Sequence, residues 1–305
     1  MIDFVGNRHW AFLGSAITVL VAVVALAIFG LRPGIDFTGG TSMTLHFEPQ
    51  VDQMALRQVV WDFGRTEAVV QGSGEDFLLR LKELETDERE ALIAAVGTKL
   101  ESTVTVLDYS TVSPAVATDT ARQAGLALVI ASAAMLLYIA WAFRNMPSPF
   151  KWGTCAILAL VHNVVIVAGM FALLGKFRGV EVDALFITGL LTVVGYTINN
   201  TVVVFDRMRE NRAKGLSTDL AVIVNCSVVE TLVRTLNTTL TTLFVIVALL
   251  LFGGATIHYF ILVLFVGLLV GTYSSLFIAG PLLVTWEKRE WRTVLSRLRG
   301  AQQTA

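Results

Sequence analysis

Charge is scarce in this sequence: only 15% of its 305 residues are Asp, Glu, Lys or Arg, against 55% hydrophobic, and the mean hydropathy is +0.69. A soluble fold of that size does not tolerate such a balance, so the chain reads as a polytopic α-helical membrane protein. The formal net charge is −1, and the basic residues gather at the ends of apolar runs, which excludes a nucleic-acid binder. Cysteine is almost missing. Cys155 and Cys226 fall in or beside apolar runs with no metal-ligand spacing around them, which suits small buried hydrophobes and excludes a disulfide framework or metal centre. There is no His-Glu-x-x-His, no Ser/His pair and no pair of intramembrane Asp residues, which excludes an intramembrane protease. We therefore expect no catalytic residue, no cofactor and no metal, and read the chain as not an enzyme.

What is abundant is long apolar sequence. The run Trp10 to Gly30 matches the roughly 20 residues needed to cross a bilayer. It is longer than a signal-peptide core and no small-residue cleavage site follows, so it is expected to be retained until Leu31-Arg32-Pro33-Gly34 breaks it. Five more runs follow: Ala121 to Phe143, Trp152 to Leu174, Val182 to Phe205, Val233 to Phe252 and Ile257 to Thr285. The expected organisation is residues 1–31 as an N-terminal segment and first crossing, 32–117 as a folded domain, 118–286 as crossings two to six, and 287–305 as a basic tail. Arg144 and Lys151, then Arg207, Arg209, Arg212 and Lys214, then Lys288, Arg289, Arg292, Arg297 and Arg299 mark their connections and both termini as cytoplasmic, although Lys176 and Arg178 run against that rule. The 32–117 domain then lies on the extracytoplasmic side.

Within that domain Ser42 to Phe47 alternates like a strand, and Val51 to Phe63 places Met54, Val59, Val60 and Phe63 at helical spacing. Ala68 to Val70 and Phe77 to Leu81 read as strands about a Gly-Ser-Gly turn. Asp87 to Leu100 reads as a helix with Leu92, Val96 and Leu100 on one face and Thr86 as its N-cap, and Thr103 to Tyr109 as a last strand. The order βαββαβ predicts an α+β ferredoxin-like sandwich. No residue constellation in it suggests chemistry, so a binding or lever role is expected.

Polar residues interrupt the apolar runs. Asn199 and Asn200 lie deep in the fourth crossing, where each amide needs an internal partner because hydrocarbon supplies none. Helix-to-helix glue is one reading and a functional site the other. His162 and Asn163 occupy the third crossing; the plain reading of the imidazole is helix packing, since a lone His is a poor proton relay. On the fifth, Arg234, Asn237 or Thr238, and Thr241 fall at i, i+3 or i+4, and i+7, a polar stripe expected to point inward. Arg234 either snorkels to the cytoplasmic surface or faces Asn200 across a hydrated crevice. Gly267 and Gly271 form a GxxxG, most simply a close-packing face. Asp206 is the one carboxylate near the central stripe, at a helix end read as solvated.

Three motifs in order carry a family resemblance. They are Gly34-Ile35-Asp36-Phe37-Thr38-Gly39-Gly40-Thr41, Gly195-Tyr196-Thr197-Ile198-Asn199-Asn200-Thr201 through Asp206-Arg207 with Arg209-Glu210-Asn211, and Arg234-Thr235-Leu236-Asn237-Thr238 with Phe252-Gly253-Gly254. With the one-plus-five layout they resemble SecF, the smaller partner of SecD in bacterial protein export and a member of the RND superfamily; Met1-Ile2-Asp3-Phe4 is similar to the opening of the SecF half in fused SecDF chains. The resemblance implies a pseudo-symmetric bundle completed by a separate or fused SecD half. It further implies service to the SecYEG channel, indirectly to the SecA ATPase, and to unfolded preprotein within the lipid of the bacterial inner membrane, driven by the proton motive force with protons as coupling ion. Asp36, Gly39 and Gly40 would shape the junction below the outer domain, their ordinary role being a tight turn.

In the family scheme an Asp in the fourth crossing titrates and an Arg in the fifth gates. By matching, the Arg is Arg234, and Asn200 stands at the Asp position, with Asn163 also replacing an Asp common in relatives. An Asn has nearly the shape of a protonated Asp but cannot release a proton. Either the chain is a variant frozen in the protonated state, or its coupling has moved to the SecD half, or Asp206 and His162 share the work; the second accounts for both positions. The competing reading is half of an RND-like small-molecule or lipid exporter.

Overall fold

The computed structural model describes residues 3–254 and 257–288, so that of the basic tail only its first residues are described and Arg289, Arg292, Arg297 and Arg299 lie outside. Among the described residues six helices are long and apolar enough to span a membrane: α1 (Arg8–Phe29), then α5 (Pro114–Ala142), α6 (Pro149–Arg178), α7 (Ala184–Ala213), α8 (Leu220–Phe252) and His258–Glu287. The last span is α9 (His258–Ser274), a π-helical turn over Ser275–Ala279, and α10 (Gly280–Glu287). Between α1 and α5 lie α2 (Ile35–Thr38), β1 (Gly40–Glu48), α3 (Gln53–Asp62), β2 (Val69–Ser73), β3 (Asp76–Leu81), α4 (Thr86–Leu100) and β4 (Thr103–Val112). The chain divides into two compact units, one of Leu31–Ala127 with Leu174–Ile187 and the other of Met1–Gly30, Leu128–Leu173 and Thr188–Ala305, so that α5, α6 and α7 each contribute to both.

In the β-containing unit the four strands are antiparallel in the order β2-β3-β1-β4. That is the strand order of the βαββαβ sandwich the sequence predicts. Alternation along β1 buries Met43, Leu45 and Phe47, which meet Leu56 and Val60 of α3, Leu79 of β3 and Leu92 and Val96 of α4 in one core. Each such side chain contributes about 1.5–3 kcal/mol by leaving water. Helix α3 starts where Asp52 accepts hydrogen bonds from Met54 N (2.8 Å) and Ala55 N (3.2 Å). Two sequence expectations fail here. Met54 is exposed while Leu56 is buried, because capping at Asp52 sets the phase of the helix. Thr86 is the first residue of α4, and Glu85 holds the cap position without a side-chain bond.

In the helical unit half or more of the most apolar window is buried in α6, α7 and the last span, against 6% in α5 and 17% in α1 and α8. The first three form the centre and the others its periphery. Helix α1 turns its small residues Ser15, Ala22 and Ala25 inward, and a side chain on Gly169 of α6 would collide with Ala22. Phe143 and Trp152 stack and Phe205 meets both edge-on in one aromatic cluster of the core, with ring centroids 5.2–5.8 Å apart.

Candidate functional site

The fourth span is held against the sixth by the absence of side chains. A Cβ on Gly267 would collide with Val193, and one on Gly271 with Thr197, so the GxxxG face brings the α9 backbone onto α7. One turn later α9 loosens into the π-helical turn, a feature frequent at functional sites. The hydroxyls of Ser275 and Thr201 meet there at 2.9 Å, each within reach of the Thr197 carbonyl (3.2 and 3.0 Å). From α6, His162 Nδ1 donates to Asn163 Oδ1 (2.9 Å) and Asn163 Nδ2 donates to Thr197 Oγ1 (3.3 Å). Asn163, Thr197, Thr201, Thr272 and Ser275 are all buried. The result is a polar chain through α6, α7 and the π-turn inside an apolar bundle.

Asn200 belongs to this buried set, 3% exposed, but its Nδ2 has no hydrogen-bond partner among the described residues. The sequence expectation that each amide finds an internal partner is not met by a protein group at this atom, where staying unbonded would cost about 1–3 kcal/mol. Asn199 is exposed. So are Arg234, Asn237, Thr238 and Thr241, and the inward stripe of α8 is instead Thr231, Thr235 and Thr239. Two polar stripes run along α8, and periodicity alone cannot say which one faces the core. The structure therefore does not join Arg234 to Asn200 in a shared seam: Asn200 is inside, and the guanidinium lies on an exposed face without an ion-pair partner among the described residues. Asp206 is exposed and paired with Arg209. The helix end beyond it is less solvated than the sequence suggests, because Arg207 Nε and Asn211 Nδ2 both donate to Glu230 of α8 (2.6 and 2.8 Å).

The motif at residues 34–41 makes a second constellation, in the β-containing unit. Gly34 N donates to Val182 O and Val182 N to Arg32 O, both at 2.8 Å, so this segment pairs in parallel with the connection that leads into α7. Asp36 Oδ2 accepts from Ala184 N (2.8 Å) and Asp183 Oδ1 from Phe186 N (2.7 Å), so two carboxylates serve the first turn of α7. Arg80 of β3 pairs with Glu181 at 2.9 Å. Burial raises the Glu181 carboxyl above its ordinary range, opposed by the Arg80 charge; burial also raises Asp183, and the Asp36 charge adds to that. Gly39 (φ 75°) closes α2 by donating to Ile35 O, and Gly40 (φ 131°) opens β1 where a Cβ would lie 2.6 Å from Leu81 O. The two glycines are thus more than a turn: they let the strand leave α2 flush against its neighbour.

Sequence reasoning missed Thr197, Thr201, Thr272 and Ser275 in the first constellation and Arg80, Glu181 and Asp183 in the second. Ser274-Ser275 beside the GxxxG was the available signal for the former; no local signal marks the latter, whose partners are far apart in sequence.

A family model described as protein export membrane protein SecD/SecF, C-terminal, matches residues 92–289, and the SecD/SecF GG motif matches residues 24–51, the segment that holds Gly39 and Gly40. The protein translocase subunit SecF of Thermobaculum terrenum is 40% identical, with 97% of this chain and 98% of that one covered; the subunit SecF of Anaerolinea thermophila is 39% identical with the same coverage. A crystal structure of SecDF from Thermus thermophilus, a translocon-associated membrane protein, superposes with a TM-score of 0.84 at 38% identity, over 94% of this chain and 39% of the longer one. With its six apolar helices and small antiparallel sheet, this multi-pass membrane chain belongs to the SecF family of protein translocase subunits, the auxiliary subunits of Sec-pathway protein export.

Proposed function

We propose that the chain works beside a SecD half at the SecYEG channel of the bacterial inner membrane, with the β-containing domain on the outer side and both termini in the cytoplasm. One observation carries this reading. Asn199 on α7, and Arg234 and Asn237 on α8, are exposed along spanning helices. Polar side chains at membrane depth face protein or a water-filled route and not lipid, so this face fits a second membrane subunit. The basic connections after α5 and α7 support the orientation. In this scheme SecA is served indirectly, unfolded preprotein is the substrate, the proton motive force drives the cycle, and the chain needs no cofactor and performs no catalysis. Because Asn200 cannot release a proton, the titrating step is assigned to the SecD half.

The test is disulfide or bifunctional cross-linking in native membranes from single cysteines replacing Asn199 and Arg234, with Leu137, on the little-buried α5, as the lipid-facing control. Adducts to a SecD-type chain at 199 and 234 but not at 137 are expected. Equal accessibility of all three sites to a lipid-soluble reagent, with no adduct, overturns the proposal.

A further inference from the structure

Asn200 is not alone in lacking a partner. Thr235 of α8 is 2% exposed and its Oγ1 is also without a hydrogen-bond partner among the described residues. Threonines in these helices ordinarily bond back to their own backbone: Thr231 reaches Ser227 O (2.7 Å), Thr238 reaches Arg234 O (3.1 Å) and Thr272 reaches Leu268 O (2.8 Å). Thr235 does not.

The register of the two helices puts these orphans together. Tyr196 OH of α7 is 3.5 Å from Thr239 Oγ1 of α8, and toward the other end Asn211 Nδ2 is 3.0 Å from Ser227 Oγ, so α7 and α8 run antiparallel along one seam. Asn200 follows Tyr196 by four residues and Thr235 precedes Thr239 by four. Each therefore lies on the same face as its contacting neighbour, one turn along, at the same level. An amide nitrogen and a hydroxyl that are both buried, both without a partner among the described residues and brought to one level by the helix register mark a candidate polar site.

We propose that Thr235 is the positioning residue for the side chain at 200, and that the two groups hold a single bridging water in the α7–α8 seam. A water with two polar partners in an otherwise apolar seam satisfies both groups at once. The other titratable and charged groups have these partners: His162 of α6 is bonded through Nδ1 to Asn163, while its buried Nε2 has no partner among the described residues, Tyr196 faces Thr239, Asp206 pairs with Arg209, Glu230 with Arg207, Tyr273 of α9 donates to Ala11 O, and Arg234 lies on the exposed face. In deepening the export reading, by naming what tunes position 200, this inference rests on it; its test reads the side chains directly and needs no export.

The full chain in lipid nanodiscs carrying Asn200→Asp is titrated by infrared difference spectroscopy on the protonated-carboxyl stretch. A hydroxyl or its water donating to the ionised carboxylate favours the charged form, so Thr235→Val raises the titration midpoint by about one unit, roughly tenfold in proton affinity. Thr235→Ser returns it, and Thr231→Val, whose hydroxyl is already bonded to its own helix, leaves it in place. If the Val variant does not insert, Thr235→Ala replaces it. An unmoved midpoint in the Thr235 variants, an equal shift from Thr231→Val, or a carboxyl band introduced by Asn200→Asp that does not titrate at all overturns the proposal. The cross-linking outcome is independent of all three.

Discussion

Replacing Asp36 by Ala removes one of two carboxylates that serve the start of α7. The bond lost is a 2.8 Å contact from Ala184 N to a charged acceptor, made by a residue distant in sequence. Losing a cap of this kind costs about 1 kcal/mol, in a range of about 0.5–2. One kcal/mol is roughly a fivefold change in a local opening equilibrium. Amide hydrogen exchange at Ala184 should therefore quicken about fivefold in Asp36→Ala, and only about twofold in Asp36→Asn, which keeps an acceptor oxygen but gives up about 0.5 kcal/mol of charge–dipole attraction.

The pH dependence has a definite sign. The folded Asp183 carboxyl is raised above its ordinary 3.8, first by burial and then by the Asp36 charge. Its contribution is complete below the unfolded value and is lost as pH rises through the raised folded one. Taking away the Asp36 charge moves the upper edge of that window back toward 3.8, so the mutant's Phe186 amide should reach its high-pH exchange behaviour at lower pH than the parent's. Unchanged Ala184 exchange in Asp36→Ala, or a larger effect at Phe186 than at Ala184, would refute the two-carboxylate account of this helix start.

Two further outcomes follow from the geometry. Gly271→Leu drives a side chain into Thr197 and should lower thermal stability in detergent by about 1–3 kcal/mol, whereas Gly125→Ala, with nothing within 4 Å, should leave it alone; equal effects would remove the close-packing role of the GxxxG face. His46 is held above its ordinary 6.5 first by its hydrogen bond to Asp76 at 2.6 Å, so its contribution to the β1–β3 pairing is complete below 6.5 and lost as pH rises through the raised value; a His46 proton resonance titrating at or below 6.5 would contradict this.

The fold was legible where one physical rule acts locally. Alternation marked β1 and β3, and apolar length marked all six spans. Helix starts were less legible: α8 begins at Leu220, capped by Asp219, and not at Val233, because hydropathy sees only the part at membrane depth while the helix continues as an amphipathic stem. Which of two stripes turns inward was not legible either. Arg234 and Thr235 are neighbours, yet one is exposed and the other buried, because a helix turns about 100° per residue and only packing against a neighbour selects the inward stripe. At the centre, Asn200 and Asn163 stood out as amides in hydrocarbon, but the polar chain that reaches Asn163 comes from Thr197 and Ser275, which look ordinary until the π-turn brings them together.

The tie between Asp36 and Ala184 spans 148 positions in the chain. At a synthesis rate of about 5–20 residues per second, the sheet can close as soon as Val112 has emerged, but its fastening to the start of α7 waits on the order of ten seconds from the appearance of Asp36. During biogenesis the closed sheet therefore waits through the whole synthesis of α5 and α6 before the Asp36–Ala184 bond can form. The short connection at residues 179–184 is among the last parts of this unit to leave the ribosome.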